Sequence, residues 1–134
     1  MRRTLIAALI ALPVAGCGGT SGDGAKDFQG ESKAVAQTIQ DLEQAGSRRD
    51  GTKICRDLLA SALTRQLIEA GSDCRRTVED SLKDADAYDL EVRDVKVSGT
   101  TARAQVRAEA GDRKQDATVA LVKERGRWRI SDLG

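Results

Sequence analysis

The sequence predicts an α+β domain: helices first, then an antiparallel four-stranded meander laid against them. Three observations carry this. Between residues 31 and 86 apolar side chains recur with the helical period. After Ala87 the period falls to two. Around Gly111-Asp112, a two-residue hairpin signal, opposite charges land opposite each other: pairing residue i with residue 223 − i sets Arg107 against Asp116 and Glu109 against Lys114.

Taken in order, "ESKAVAQTIQDLEQAGSR" (31–48) places Val35, Ile39 and Leu42 on one face, with Gly46 as the expected stop. Residues 51–60 carry Ile54, Leu58 and Leu59 and form a second short helix. Residues 61–70, "SALTRQLIEA", suit a helix through Leu63, Leu67 and Ile68, or a short strand. Gly71-Ser72-Asp73 breaks the chain and offers Asp73 as N-cap for a helix over 74–86, with Val78 and Leu82 buried. Three helical segments result.

In "YDLEVRDVKV", Tyr88, Leu90 and Val92 share one parity, while Val95 and Val97 have the other. One extra residue near Arg93-Asp94 restores a common face, so a β-bulge is expected there. A turn at Ser98-Gly99 then sets Val95 against Ala102 and Asp94 against Arg103. "RAQVRAEA" alternates without interruption, 117–122 returns as the third strand, and an even-length loop at Arg125-Gly126 turns Trp128 and Ile130 of "RWRISDL" inward.

Composition narrows the chemistry. The 134 residues suggest one domain, and they include no histidine, so the commonest general base and metal ligand is absent. Formal charge is +1; without Arg2 and Arg3 the 22 basic residues become 20 against 21 acidic ones. No field recruits nucleic acid. Aromatic residues are Phe28, Tyr88 and Trp128 only, too few for a base-stacking platform. Arginine far exceeds lysine, a bias read as that of a GC-rich genome.

"MRRTLIAALIALPVAGC" has the basic, apolar and small-residue regions of a secretory signal. As a helix, Thr4 to Ala15 spans roughly 18 Å, short of the ~30 Å hydrocarbon core. Its end, Val14-Ala15-Gly16-Cys17, resembles the bacterial lipobox, which implies cleavage before Cys17 and acylation of its thiol. Two or more acyl chains give stable anchoring at a membrane's extracytoplasmic face. Gly18 to Gly30 reads as a flexible tether. The expected organisation is therefore a leader over 1–16, lipidated Cys17 with a linker to residue 30, and a folded domain over 31–134. In an exported chain the remaining cysteines, Cys55 and Cys74, are expected to form a disulfide. They make a poor zinc site without histidine and lack C-x-x-C spacing. No cofactor and no metal are expected.

Helices followed by a bulged meander ending in "VALVKERGRWRISDL" resemble the nuclear transport factor 2-like superfamily, whose last strands often read as an apolar strand, a charged glycine turn, then Trp-x-Ile. The resemblance covers 31–134 and implies a cone-shaped cystatin-like roll, often with an apolar pocket between sheet and helices. Tyr88, Trp128 and Asp132 are the candidate pocket residues. Small lipid-anchored actinobacterial members fit the arginine bias. Catalytic members carry Asp or His as base with Tyr or Asp as donor inside the cone; here the central strands offer alanine and valine. The leading expectation is a non-enzymatic, anchored domain that binds a small ligand or an envelope protein. An isomerase- or cyclase-like enzyme using Asp132 or Asp94 with Tyr88 is one alternative, and a purely structural interaction module is the other. The outer sheet face, with Arg103, Arg107, Arg127 and Arg129, is too polar for a sheet-mediated dimer, so a monomer is expected.

Overall fold

The computed structural model describes residues 28–83, 89–110 and 112–134. The expected leader over 1–16, Cys17, the expected tether as far as residue 27, Tyr88 and Gly111 lie outside the described residues. Four helices precede four strands: α1 (Gly30–Ser47), α2 (Gly51–Lys53) running on into a π-helical segment (Ile54–Leu58), α3 (Ser61–Glu69), α4 (Cys74–Leu82), then β1 (Asp89–Ser98), β2 (Thr101–Ala110), β3 (Arg113–Glu124) and β4 (Arg127–Asp132). The strands form one antiparallel sheet in sequence order.

The α+β architecture is as expected, with one helix more. The stretch read as helix or strand is helix over Ser61–Glu69, and the second helical segment relaxes into the π geometry, with the Leu59 amide donating to the Ile54 carbonyl at 2.9 Å. Gly46 does not stop α1; it is buried within the last turn. The left-handed residue that turns the chain is Arg49, at φ 55°. Phe28 lies against the core, and α1 opens at Gly30.

The β2–β3 register is the expected one, Val106 opposite Ala117 and Arg107 opposite Asp116, with the latter pair joined at 3.0 Å. The bulge falls between Val92 and Asp94. The β1–β2 turn is corrected by one residue. Its centre is Gly99-Thr100, so Val97 faces Ala102, Val95 faces Ala104, and Asp94 faces Gln105 instead of Arg103. Gly99 sits at φ 60°, in the first turn position, where a type II′ turn takes glycine. Parity is unchanged, so the apolar face still points inward.

α1 lies across that face. Its Val35, Ala36 and Ile39 meet Ala104, Val106, Val119, Leu121 and Ile130 in one core. The small inward residues of β2 allow close approach of the helix; Ala36 and Ala104 are fully buried.

Two carboxylates fix α1, one toward each end. At one end Glu31 accepts from the Trp128 indole at 2.6 Å and from Lys123 at 2.8 Å, and these bonds hold its carboxyl below the usual range. At the other, Glu43 accepts from the Leu90 amide at 2.7 Å. Burial pushes the Glu43 carboxyl above its ordinary value of 4.5; the Leu90 amide opposes this and neighbouring Asp89 reinforces it. A carboxyl raised on folding contributes stability below its unfolded value and loses it as pH rises through the folded one. Glu43→Gln keeps an acceptor for Leu90 and removes the charge. The stability difference, variant minus native, is expected to rise between pH 4.5 and pH 7, read from urea midpoints at both. A difference independent of pH would refute the role given to Glu43.

Where the helices cross, Gly51 is required by space. A Cβ there would lie 2.8 Å from the Arg75 carbonyl oxygen and 2.9 Å from the Glu79 side chain. Gly51→Ala is expected to destabilise by about 1–3 kcal/mol through overpacking, although alanine is the better helix former. An unchanged denaturation midpoint would show that α4 can move aside.

Candidate functional site

The three short helical elements are too small to bury a core alone, and the structure holds them by links from elsewhere. Asp50 caps α2 by accepting from the Lys53 amide at 3.0 Å, and Asp73 caps α4, as its sequence position suggested, by accepting from the Arg76 amide at 2.9 Å. A disulfide joins Cys55, in the π-helical segment, to Cys74, the first residue of α4. The connector between the π segment and α3 is stitched to β4: Leu59 forms a parallel bridge with Ile130, and the Ala60 amide donates to the Ile130 carbonyl at 2.7 Å.

The β3–β4 hairpin completes this scaffold. Arg129 donates to the Arg56 carbonyl at 2.8 Å, satisfying an acceptor that the end of the π segment leaves open. Glu124 accepts from the Ser61 amide at 2.8 Å and so caps α3, which has no side-chain cap of its own. That amide holds the Glu124 carboxyl below the usual range.

Between these helices lies a cleft of about 360 Å³. Leu42, Ile54, Leu59 and Leu82 form its buried floor. Leu63 and Leu67 of α3 and Val78 of α4 are half-buried walls, and Leu133 is an exposed rim. Gly46 also lines it, one helical turn beyond Leu42 on the same face of α1. The polar side chains in the lining are Thr77 and Ser81. Both hydroxyls donate into their own helix, Thr77 to the Asp73 carbonyl and Ser81 to the Thr77 carbonyl, each at 2.8 Å. No aromatic ring and no charged side chain belongs to the lining among the described residues.

The cleft is therefore placed differently from the expected cone pocket. It lies among the helices, and the candidate pocket residues do not converge on it. Trp128 is buried, but its indole is spent on Glu31 and it does not line the cleft. Asp132 is exposed and accepts from the Gly134 amide at 3.1 Å. Its inward parity is cancelled by a register shift in β4: Ile130 faces Leu121, but Asp132 faces Ala120, so Ser131 is an extra residue. The same shift turns Leu133 to the cleft. Tyr88 lies outside the described residues. Asp94 is exposed at the bulge and does not line the cleft. Gly46 was detectable in the sequence from its spacing to Leu42; Leu133 was not, because the β4 bulge leaves no trace in the alternation.

A sheet wrapped on helices in this order defines an NTF2-like domain. Solved structures support the class. An NTF2-like protein of unknown function from Silicibacter pomeroyi superposes with a TM-score of 0.55 at 16% identity, covering 75% of this chain and 89% of that one. A SEC-C motif-containing protein from Rhodopseudomonas palustris gives 0.57 at 19% identity, covering 72% and 74%. A chain named Rd1NTF2_05, with five substitutions in its name, gives 0.54 at 13%, covering 78% and 97%. More narrowly, residues 30–132 match the family described as "Putative lumazine-binding", and the chain belongs to that family. No curated protein matches it in sequence.

Proposed function

We propose that this protein is a lipid-anchored extracytoplasmic domain that binds a small ligand in the interhelical cleft without transforming it. The cleft carries the reading. Its volume, about 360 Å³, falls within the ~300–1,000 Å³ of small-molecule sites, and its lining is almost wholly apolar. The acids considered as catalytic bases, Asp94 and Asp132, are exposed and outside it. The anchor rests on Val14 to Cys17 and on the short apolar run before them. No helix among the described residues is long and apolar enough to cross a membrane. The polar outer sheet face, with its Arg107–Asp116 and Lys114–Glu109 pairs, supports a monomer.

The site is tested with the dye 1-anilinonaphthalene-8-sulfonate, expected to bind once per chain and saturably, and to lose at least tenfold in affinity in Leu67→Glu. Absence of saturable binding, or binding indifferent to that change, would refute the site. The anchor is tested separately. Cys17→Ala is expected to move the protein from the membrane to the soluble fraction; tight membrane association in the variant would refute it.

A further inference from the structure

We infer that the cleft takes one linear, saturated hydrocarbon chain of the fatty-acyl class, a reading that rests on the cleft being the ligand site. Three features of the lining select this chemistry. Among the described residues it is aliphatic, so a planar ring finds no aromatic partner there to stack on. Its two hydroxyls already donate to helix carbonyls, so a buried carbonyl or ring nitrogen would find no free side-chain donor among the described residues. At ~30 Å³ per small heavy-atom group, about 360 Å³ holds roughly a dozen such groups in a row. That is one acyl chain of medium length and too little for two.

Gly46 supports the same conclusion. A glycine inside a helix costs roughly 0.5–1 kcal/mol relative to alanine, yet one stands in the last turn of α1 and lines the cleft. Lacking a side chain, it gives only backbone to the lining beside Leu42. The disulfide fixes the other dimension. Ile54 of the floor adjoins Cys55, and Thr77 and Val78 stand one turn after Cys74, so the bond ties together the two elements that carry these groups.

Lumazine, the ligand in the family's description, has comparable size but opposite chemistry. Its fused rings carry two carbonyls and ring N–H groups, each needing a partner when buried. The acyl chain needs none. Its source is either a diffusing fatty acid or the chain's own lipidated Cys17. From Cys17 to Phe28 the tether reaches at most about 40 Å when extended, at ~3.3–3.6 Å per residue, long enough for a self-supplied chain to reach the domain.

The experiment titrates saturated fatty acids of 8 to 14 carbons, and lumazine, into the full Cys17→Ala chain and into the lipidated chain by calorimetry. In Cys17→Ala, affinity is expected to rise roughly fourfold per methylene and to level off near 12 carbons. Lumazine is expected not to compete. Binding in both forms assigns a free fatty acid as the source; binding in Cys17→Ala alone assigns the protein's own acyl chain. Gly46→Leu is expected to weaken binding at least tenfold, and Leu67→Glu repeats the test on a half-exposed wall if Gly46→Leu does not fold by circular dichroism. Fatty-acid binding that ignores both variants, or no dependence on chain length, overturns the inference. Dye binding without fatty-acid binding, or lumazine binding in its place, overturns the acyl class while leaving the cleft as the ligand site. Loss of dye and acid binding together removes both.

Discussion

Trp128→Ala is expected to lower stability by about 3–5 kcal/mol, the usual range for removing a buried tryptophan. The indole is 5% exposed and sits where three elements meet. It donates to Glu31 at the start of α1, and the Lys123 ammonium lies 5.8 Å from the ring centroid. Truncation therefore leaves a cavity and cuts the link between α1 and the β3–β4 hairpin. Trp128→Phe keeps most of the apolar surface and loses only the N–H donor, so it should cost about 1 kcal/mol. Denaturant unfolding followed by far-ultraviolet circular dichroism measures both without relying on the lost fluorophore. Equal losses in the two variants would mean that the hydrogen bond to Glu31 matters more than the packing.

The double variant Cys55→Ala/Cys74→Ala is expected to lose about 3 kcal/mol, as closing a loop with a sequence separation of 19 predicts on the chain-entropy model. Reductant should lower the native midpoint by the same amount and leave the double variant unchanged. A native midpoint insensitive to reductant would refute a stabilising bond. One variant acts at the hairpin and the other at the crossing of α4 with the π segment. Arg129, next to Trp128, donates to the Arg56 carbonyl, next to Cys55, so the two sites share a network and their effects are expected to depart from additivity.

Much of the sheet was legible because two independent signals agreed. In β2 and β3 the inward alternation and the cross-strand charges both demand the same pairing, and a one-residue slip would break both. The bulge was legible for a similar reason, since five apolar residues change parity at one point. The Gly99 turn was placed one residue early because Ser98-Gly99 and Gly99-Thr100 both keep the faces intact; only the turn's backbone geometry separates them. Gly46 misled because a glycine near a helix end ordinarily marks the stop. Here the chain turns at Arg49, and the glycine lies inside the last turn and lines the cleft.

The cleft was much less legible. Its floor could be picked out as apolar, but its existence depends on how four helices are spaced. That spacing is set by contacts between residues far apart in the chain. Glu124 reaches Ser61, Arg129 reaches Arg56, and neither pairing leaves any mark on local periodicity. The disulfide followed from the expected export of the chain, though not that it would join the elements carrying Ile54 of the floor and Val78 of the wall. Asp132 and Leu133 exchanged roles through a single additional residue, Ser131.

α3 has no buried residue, and its hold on the remainder comes largely through the capped Ser61 end and the half-covered Leu63 and Leu67. Its backbone amides are accordingly the ones whose hydrogens should trade with deuterated solvent soonest among the helices, well before those of α1. Local opening there would proceed while the sheet stays closed, giving the molecule a partially melted state much lower in free energy than global unfolding.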